Sequence, residues 1–546
     1  MGNERSVETI GEAVFDDPEC AAMVVVSGTP ANHATELRSA GFLLATASAT
    51  CALISLDTNI VAVSLPSIAR SFHAGFADVE WVVSAYMVSF ASCLLPMGGL
   101  ADRYGRKKML VLGLLVFALA SLGCGLAPSV TSLNIFRAVK GVGAAMLLTA
   151  ALAVIANAFP GPRERARAWA IWGMTMGIST TIAPLVGGVI TQWVGWRWIF
   201  LLNLPVCAVL VFCAQRAVTE SRNPHAQRVD FAGSLLFGIG LASGIWALIG
   251  AQDNGWYSVA TGSRFAACVL LIGCFIAVEK RLAHAVIDLS LFSQARFVAA
   301  VLGMFGYAAC AQVMMTFLPL YLQNAFEWSP VRAGVGMLPF ALSMIVGPYL
   351  GARIGQRLDG ATSTLSVGLC LVGAGNLLTA AVAPSGEYGW VALGMIVTGL
   401  GAGVLNGDTQ KAIMACVPSH RTGMASGIST TTRFTAIVTS VGVLGAVLAS
   451  RTRAAIDAAG ACHASASACV DPQFMSNLLA GDLGHALARV APDIRVEMAS
   501  IAPAGFASGF AAALGVAGCL ALAVAALIWL LAGRNRASTR TNAVRG

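Results

Sequence analysis

The sequence predicts an all-α polytopic membrane protein whose chain crosses the bilayer fourteen times. Three observations predict it. Only 11% of the 546 residues are charged and 57% are hydrophobic, whereas a soluble domain carries roughly a quarter of its residues charged. Mean hydropathy is +0.76, and apolar stretches of spanning length recur along the chain. Lys and Arg are segregated into alternate loops between those stretches. One soluble core of this size is disfavoured, because single cores stop growing near ~250 to 300 residues. The net charge of +8 lies in the loops, a pattern of membrane orientation and not of a nucleic-acid partner.

Residues 1–40 contain Glu4, Glu8, Asp16, Asp17, Glu19 and Glu36. They lack the basic start and apolar middle of a secretory signal and are expected to form a cytoplasmic tail. Six spans follow at about 41–65, 81–101, 109–127, 132–157, 167–191 and 199–217. A pair is predicted at 231–251 and 264–281, then six more at 296–322, 333–352, 364–383, 390–414, 423–449 and 506–532, with a second tail at 533–546. Two six-helix bundles, 41–217 and 296–532, thus flank an inserted pair, 231–281. Transporters are often built from such halves. The sizeable outer loop is expected at 450–505, where Leu478 to Val490 suits an amphipathic helix and Cys462 and Cys469 suit a disulfide or two free thiols. His463 beside Cys462 does not make a metal site, and none is expected.

Orientation follows from Lys and Arg alone. With both ends cytoplasmic, the inner loops and C-terminal tail hold 21 of them, from Arg103 to Arg545, while the outer side holds eight. Four of those eight lie in the one long outer loop, where the rule is weak.

Charges inside apolar helices are costly and tend to face a bundle interior or a watery path. Asp57 in span 1 lies about 13 Å from that span's outer end, and Arg137 in span 4 roughly 9 Å below the same surface. The two depths allow a pair if the helices adjoin. Asp57 is then a proton-binding carboxylate, since burial favours its neutral form and a nearby Arg its charged form. A permanent ion pair is the alternative. Lys140 shares a helix face with Arg137 and is a cavity candidate, as is Arg433 near the middle of span 13. Asp408 and Lys411 suit an ordinary interfacial pair. Gly98, Asp102, Arg103, Gly105 and Arg106 surround the turn after span 2 and have the ingredients of a cytoplasmic gate. In span 5, Gly173 and Gly177 offer a small-residue face for close packing, and Pro184, Gly187 and Gly188 loosen the helix.

These motifs resemble the major facilitator superfamily, specifically its fourteen-span drug:proton antiporter branch. Gly98-Gly-Leu-Ala-Asp-Arg-Tyr-Gly-Arg-Lys-Lys108 is similar to the superfamily motif after span 2, and Gly351 to Gly360 is a degenerate echo of it after span 10. Leu56-Asp-Thr-Asn-Ile-Val-Ala-Val-Ser-Leu-Pro66 resembles the branch motif of span 1, with Asn59 and Ala62 departing from it. Leu133 to Ala145 resembles the motif that carries an Arg implicated in proton coupling, here Arg137, with Lys140 where Gln is usual. Gly173 to Gly188 resembles the antiporter motif, with Ala183 before Pro184 where Gly is usual. Trp196 to Pro205 and Arg421 to Gly427 also match the branch.

The resemblance implies proton-driven export of amphipathic or cationic organic compounds across a bacterial inner membrane. It implies no enzymatic activity and no cofactor beyond the proton gradient, and it leaves a periplasmic adaptor open. No phosphate-cradling Gly-rich loop ending in Lys and Ser or Thr is present for ATP. A narrow-substrate metabolite exporter, an uptake carrier, and a sensor or scaffold that lost transport remain the alternatives.

Overall fold

The computed structural model describes residues 30–159, 161–222, 230–281, 289–312, 314–357, 361–417, 422–459, 472–490 and 492–545. Among them, helices and short turns make up all the regular structure. Fourteen helices are long and apolar enough to cross a membrane. Spans 1 to 6 are Ala40–Phe72, Phe76–Leu94, Arg106–Gly125, Val130–Ala158, Arg163–Trp193 and Trp198–Ala217. Spans 7 and 8 are Phe231–Ala251 and Val259–Arg281. Spans 9 to 14 are Ala295–Asn324, Pro330–Arg357, Thr362–Ser385, Tyr388–Ala415, Ala425–Ala458 and Ile494–Leu531. The span count and order match the sequence expectation; several boundaries do not, most of all the end of span 13 and the start of span 14.

Span 1 does not end at Pro66 but runs on to Phe72. A proline inside a helix removes one N–H, here the one that would bond the Ala62 carbonyl, and need not end a membrane helix packed among others; in the same turn Gln323 of span 9 donates to the Val63 carbonyl at 2.9 Å. The segment between spans 13 and 14 is also shorter than the expected 450–505. The span 13 helix continues to Ala458, and the last helix already begins at Pro492. Between them lie two short helices, Pro472–Ala480 and Leu483–Ala488. Ala-rich flanks prolong a helix beyond the hydrophobic stretch that marks it in the sequence. Cys462, His463 and Cys469 fall outside the described residues.

Within the first half, span 4 packs against spans 2 and 3 and span 1 against span 5; in the second, span 12 packs against spans 10 and 11 and span 11 against span 14. Besides the contact of span 1 with span 9, the halves meet along two lateral seams. In one, span 2 lies on span 13, with the rings of Phe90 and Phe434 4.2 Å apart. Span 7 packs on both of these helices, whereas span 8 packs on span 7 and is otherwise almost bare. In the other seam, span 5 meets span 10 at the end carrying Pro330. A side chain on Gly188 would strike the Pro330 carbonyl, and one on Gly334 would come within 2.5 Å of the Pro184 carbonyl. Farther along, Thr181 Oγ1 donates to the Ala341 carbonyl at 3.4 Å. Beyond that point, a methyl group placed on Gly177 or Gly173 would meet nothing within 4 Å among the described residues. The second seam is therefore joined at its Pro330 end and parted toward its Arg357 end.

Candidate functional site

Asp57 occupies the centre of a buried cluster built by five helices of the first half. Its Oδ2 accepts from Arg137 Nη1 at 3.1 Å, and its Oδ1 accepts from Lys140 Nζ at 2.5 Å and from Asn203 Nδ2 at 3.1 Å. Asp57, Arg137 and Lys140 are 3%, 1% and 0% exposed. Span 4 brings both cations to span 1 because positions three apart share a helix face. Span 4 approaches span 2 closely at Gly141, where a side chain would strike the Tyr86 carbonyl. Span 2 adds the Val82 carbonyl, which accepts from Arg137 Nε at 2.9 Å, and the Tyr86 ring, 4.4 Å from the guanidinium carbon. Phe117 of span 3 and Phe200 of span 6 lie 4.6 and 4.9 Å from Lys140 Nζ. Aromatic faces attract cations most strongly where water is excluded.

The pairing of Asp57 with Arg137 is thus present, and Lys140 joins it. The expectation that Lys140 lines the cavity gives way: its ammonium is fully buried on Asp57. Spacing places Lys140 beside Arg137 but carries no information on what both face. Asn203 belongs to a motif quoted above, yet nothing in the motif marks it as a donor to Asp57, which lies 146 positions away. With Asp57 ionised the cluster carries one excess positive charge, and with Asp57 protonated it carries two.

Arg433 stands apart, in the second half. It is half-buried and donates through Nε to Gln312 Oε1 at 2.7 Å, with the Tyr307 ring 5.7 Å away. Gln312 ends a π-helical turn, Ala308–Gln312, within span 9. Such turns are rare and frequent at functional sites. Tyr307 in turn donates to Asn406 Oδ1 at 3.0 Å. Asp408 and Lys411 form a pair at 3.1 Å whose ammonium is exposed.

At the turn after span 2, Arg106 Nη2 pairs with Asp102 Oδ1 at 2.9 Å. Gly105 has φ +119°, a conformation L side chains rarely adopt. Gly98 faces Thr149 of span 4, and Arg103 is exposed beside the Tyr104 ring. Glu220, just beyond span 6, carries no signal in the sequence. Its carboxylate accepts from the backbone N–H groups of Lys107 and Lys108 at 3.1 and 3.3 Å, so it caps the start of span 3 from a distant part of the chain. Lys107 Nζ also donates to the Gln215 carbonyl at 2.8 Å. In span 5 the expectation of close packing divides. Gly187 and Gly188 meet spans 1 and 10, while Gly173 and Gly177 are open. Sequence spacing does not reveal which stretch of a helix meets a neighbour.

A model of the Major Facilitator Superfamily matches residues 47–441. The chain belongs to this superfamily. It is a multi-pass membrane transporter and not an enzyme, and the superfamily generally needs no cofactor. It is similar to the multidrug resistance protein Stp of Mycobacterium tuberculosis, at 34% identity over 73% of this chain and 74% of the relative. It is similar to the multidrug efflux pump LfrA of Mycolicibacterium smegmatis, at 29% identity over 92% and 98%. Among solved structures, a bacterial homologue of the human lysosomal transporter Spinster, inward-facing and occupied, matches with a TM-score of 0.64. That match has 15% identity over 90% of this chain and 96% of the other, a likeness of fold alone.

Proposed function

We propose that this superfamily member exports amphipathic or cationic organic compounds from a bacterial cytoplasm in exchange for protons, with Asp57 as the proton-binding group. The names of the relatives support drug export, and the Lys and Arg distribution supports cytoplasmic termini, which makes the Pro330 end the outer one. The structure then corresponds to a state closed outside and parted inside, with 41–217 and 296–532 as the bodies that rock and 231–281 as an inserted pair. Asp102, Arg103 and Arg106, with Gly98 and Gly105, serve the cytoplasmic gate. No periplasmic adaptor enters this reading.

The observation that carries the proposal is one buried carboxylate held by two buried cations. Removing one partner of a buried ion pair costs on the order of 3–5 kcal/mol, enough to shift an equilibrium by about a hundred- to several thousand-fold. Protonating Asp57 cancels its charge and strands both Lys140 and Arg137, so it favours whichever conformation lets water reach them. Arg137 keeps its proton throughout and acts by biasing Asp57. Protonation of Asp57 therefore destabilises the closed cluster, and deprotonation restores the arrangement described here. Because Lys140 is fully buried on Asp57, it presents no charge to a substrate in this arrangement and gives no reason to prefer an anionic one.

The test is transport in proteoliposomes under an imposed proton gradient, across matched cationic and anionic compounds. Cation export that collapses with the gradient in the wild type, and that Asp57→Asn no longer couples to pH, is expected. Proton-driven transport by Asp57→Asn equal to wild type overturns the assignment.

A further inference from the structure

A second cluster, remote from Asp57, lies on the surface at the Pro330 end. His73 follows span 1 directly, while Asp482 and His485 open the short helix Leu483–Ala488 between spans 13 and 14. One ligand atom from each of the three lies within 4.8 Å of the others. The two imidazole rings are 4.6 Å apart. Asp482 is 3% exposed, yet both histidines are exposed, so the carboxylate forms the floor of a site whose imidazoles reach it from the solvent side.

We propose that His73, Asp482 and His485 bind a borderline divalent metal ion of the zinc type. Two imidazoles and one carboxylate are a ligand set that zinc takes with water in the fourth position. Hard cations such as Mg²⁺ and Ca²⁺ prefer all-oxygen sites. Bonds of about 2.0–2.1 Å put tetrahedral ligand atoms roughly 3.3 Å apart. Closing from the observed separation takes about 1.5 Å of movement, within the reach of exposed side-chain rotation.

Two further features support a built site. His73 has φ +51°, one of two non-glycine residues with positive φ among the described residues, and strain of this kind gathers at ligand clamps. Asp482 is also fixed in place, accepting from the His485 backbone N–H at 3.3 Å and pairing with His485 Nδ1 at 2.9 Å. A carboxylate so positioned either ligates directly or orients the imidazole that does. The neighbouring Arg70 is engaged elsewhere, donating to the Gly481 carbonyl at 3.2 Å and to Ser67 at 3.0 Å.

The consequence is mechanical. His73 belongs to the first half, whereas Asp482 and His485 belong to the outer segment. That segment also touches the first half where Ser476 Oγ accepts from the Phe76 N–H at 3.0 Å, and the second half where Asn324 donates to the Leu478 carbonyl at 3.4 Å. A metal ion here bridges span 1 to that segment and holds the outer end shut, a step that rests on the outward-closed reading above.

Purified, chelator-treated protein is titrated with ZnCl₂ by calorimetry and with Co²⁺ by absorption. Wild type is expected to bind Zn²⁺ and to show tetrahedral Co²⁺ bands. His73→Asn, chosen because Asn tolerates positive φ, and His485→Gln are each expected to weaken that binding at least tenfold, with Mg²⁺ inert. Zn²⁺ binding unchanged in the double variant overturns the site. External Zn²⁺ is expected to slow transport by wild type and not by the double variant. Full transport speed with Zn²⁺ bound overturns the bridging role while leaving both the site and the proton-coupled reading in place.

Discussion

Lys140 Nζ lies 2.5 Å from Asp57 Oδ1 with both side chains out of solvent, on the same carboxylate that Arg137 holds from its other oxygen. One negative charge thus serves two positive ones, and each partner's loss has a different consequence.

Asp57→Asn strands both cations. Its melting temperature should fall by an amount equivalent to about 3–5 kcal/mol, and pairing it with Lys140→Gln should recover much of that loss without recovering proton coupling. A fluorescence melt of the single and double variants, alongside transport, checks this. Equal stability of Asp57→Asn and wild type contradicts the buried-pair account.

Arg137→Ala removes the bond to the Val82 carbonyl and the contact with Tyr86 as well as the ion pair. Asp57 keeps Lys140 and Asn203. The expected result is a folded, monodisperse protein whose transport loses its dependence on external pH; an unaltered pH profile counts against a coupling role.

Glu220→Ala should cost about 0.5–2 kcal/mol, the ordinary value of a helix N-cap, although Glu220 is 113 positions from Lys107. Gly105→Ala should cost about 1–3 kcal/mol through backbone strain. Thermal melts of both variants provide the check, and a neutral Gly105→Ala would argue against the positive φ.

Gly188→Val should prise the Pro330-end contact apart, because its side chain meets the Pro330 carbonyl, whereas Gly173→Ala meets nothing. Spin labels at positions 193 and 332 should move apart in the first variant only, as read by electron double resonance. Identical distances in both would remove the contact from the closing mechanism.

The fold is legible in the sequence because hydropathy and charge asymmetry are local properties, summed over windows of about twenty residues. Asp57 and Arg137 can be matched because helix rise converts sequence position into depth. Lys140 falls on the expected face but meets a different neighbour, since spacing fixes direction and not what stands opposite. Asn203 and Glu220 act across 146 and 113 positions, and no periodicity encodes such meetings. Span 1 outruns its expected end because an internal proline does not end a membrane helix packed among others, and its tie to Gln323 of span 9 is invisible in either segment alone.

Span 7 lies across the junction of spans 2 and 13, and among the described residues no helix lies likewise across the parted stretch of spans 5 and 10. The two flanks of the transporter are accordingly unequal to anything dissolved in the surrounding lipid. On one flank a molecule in the bilayer meets a wall of helix; on the other it meets two helices set apart. In the proposed orientation that gap faces the inner leaflet, and a compound already partitioned into the bilayer would have a sideways approach to it.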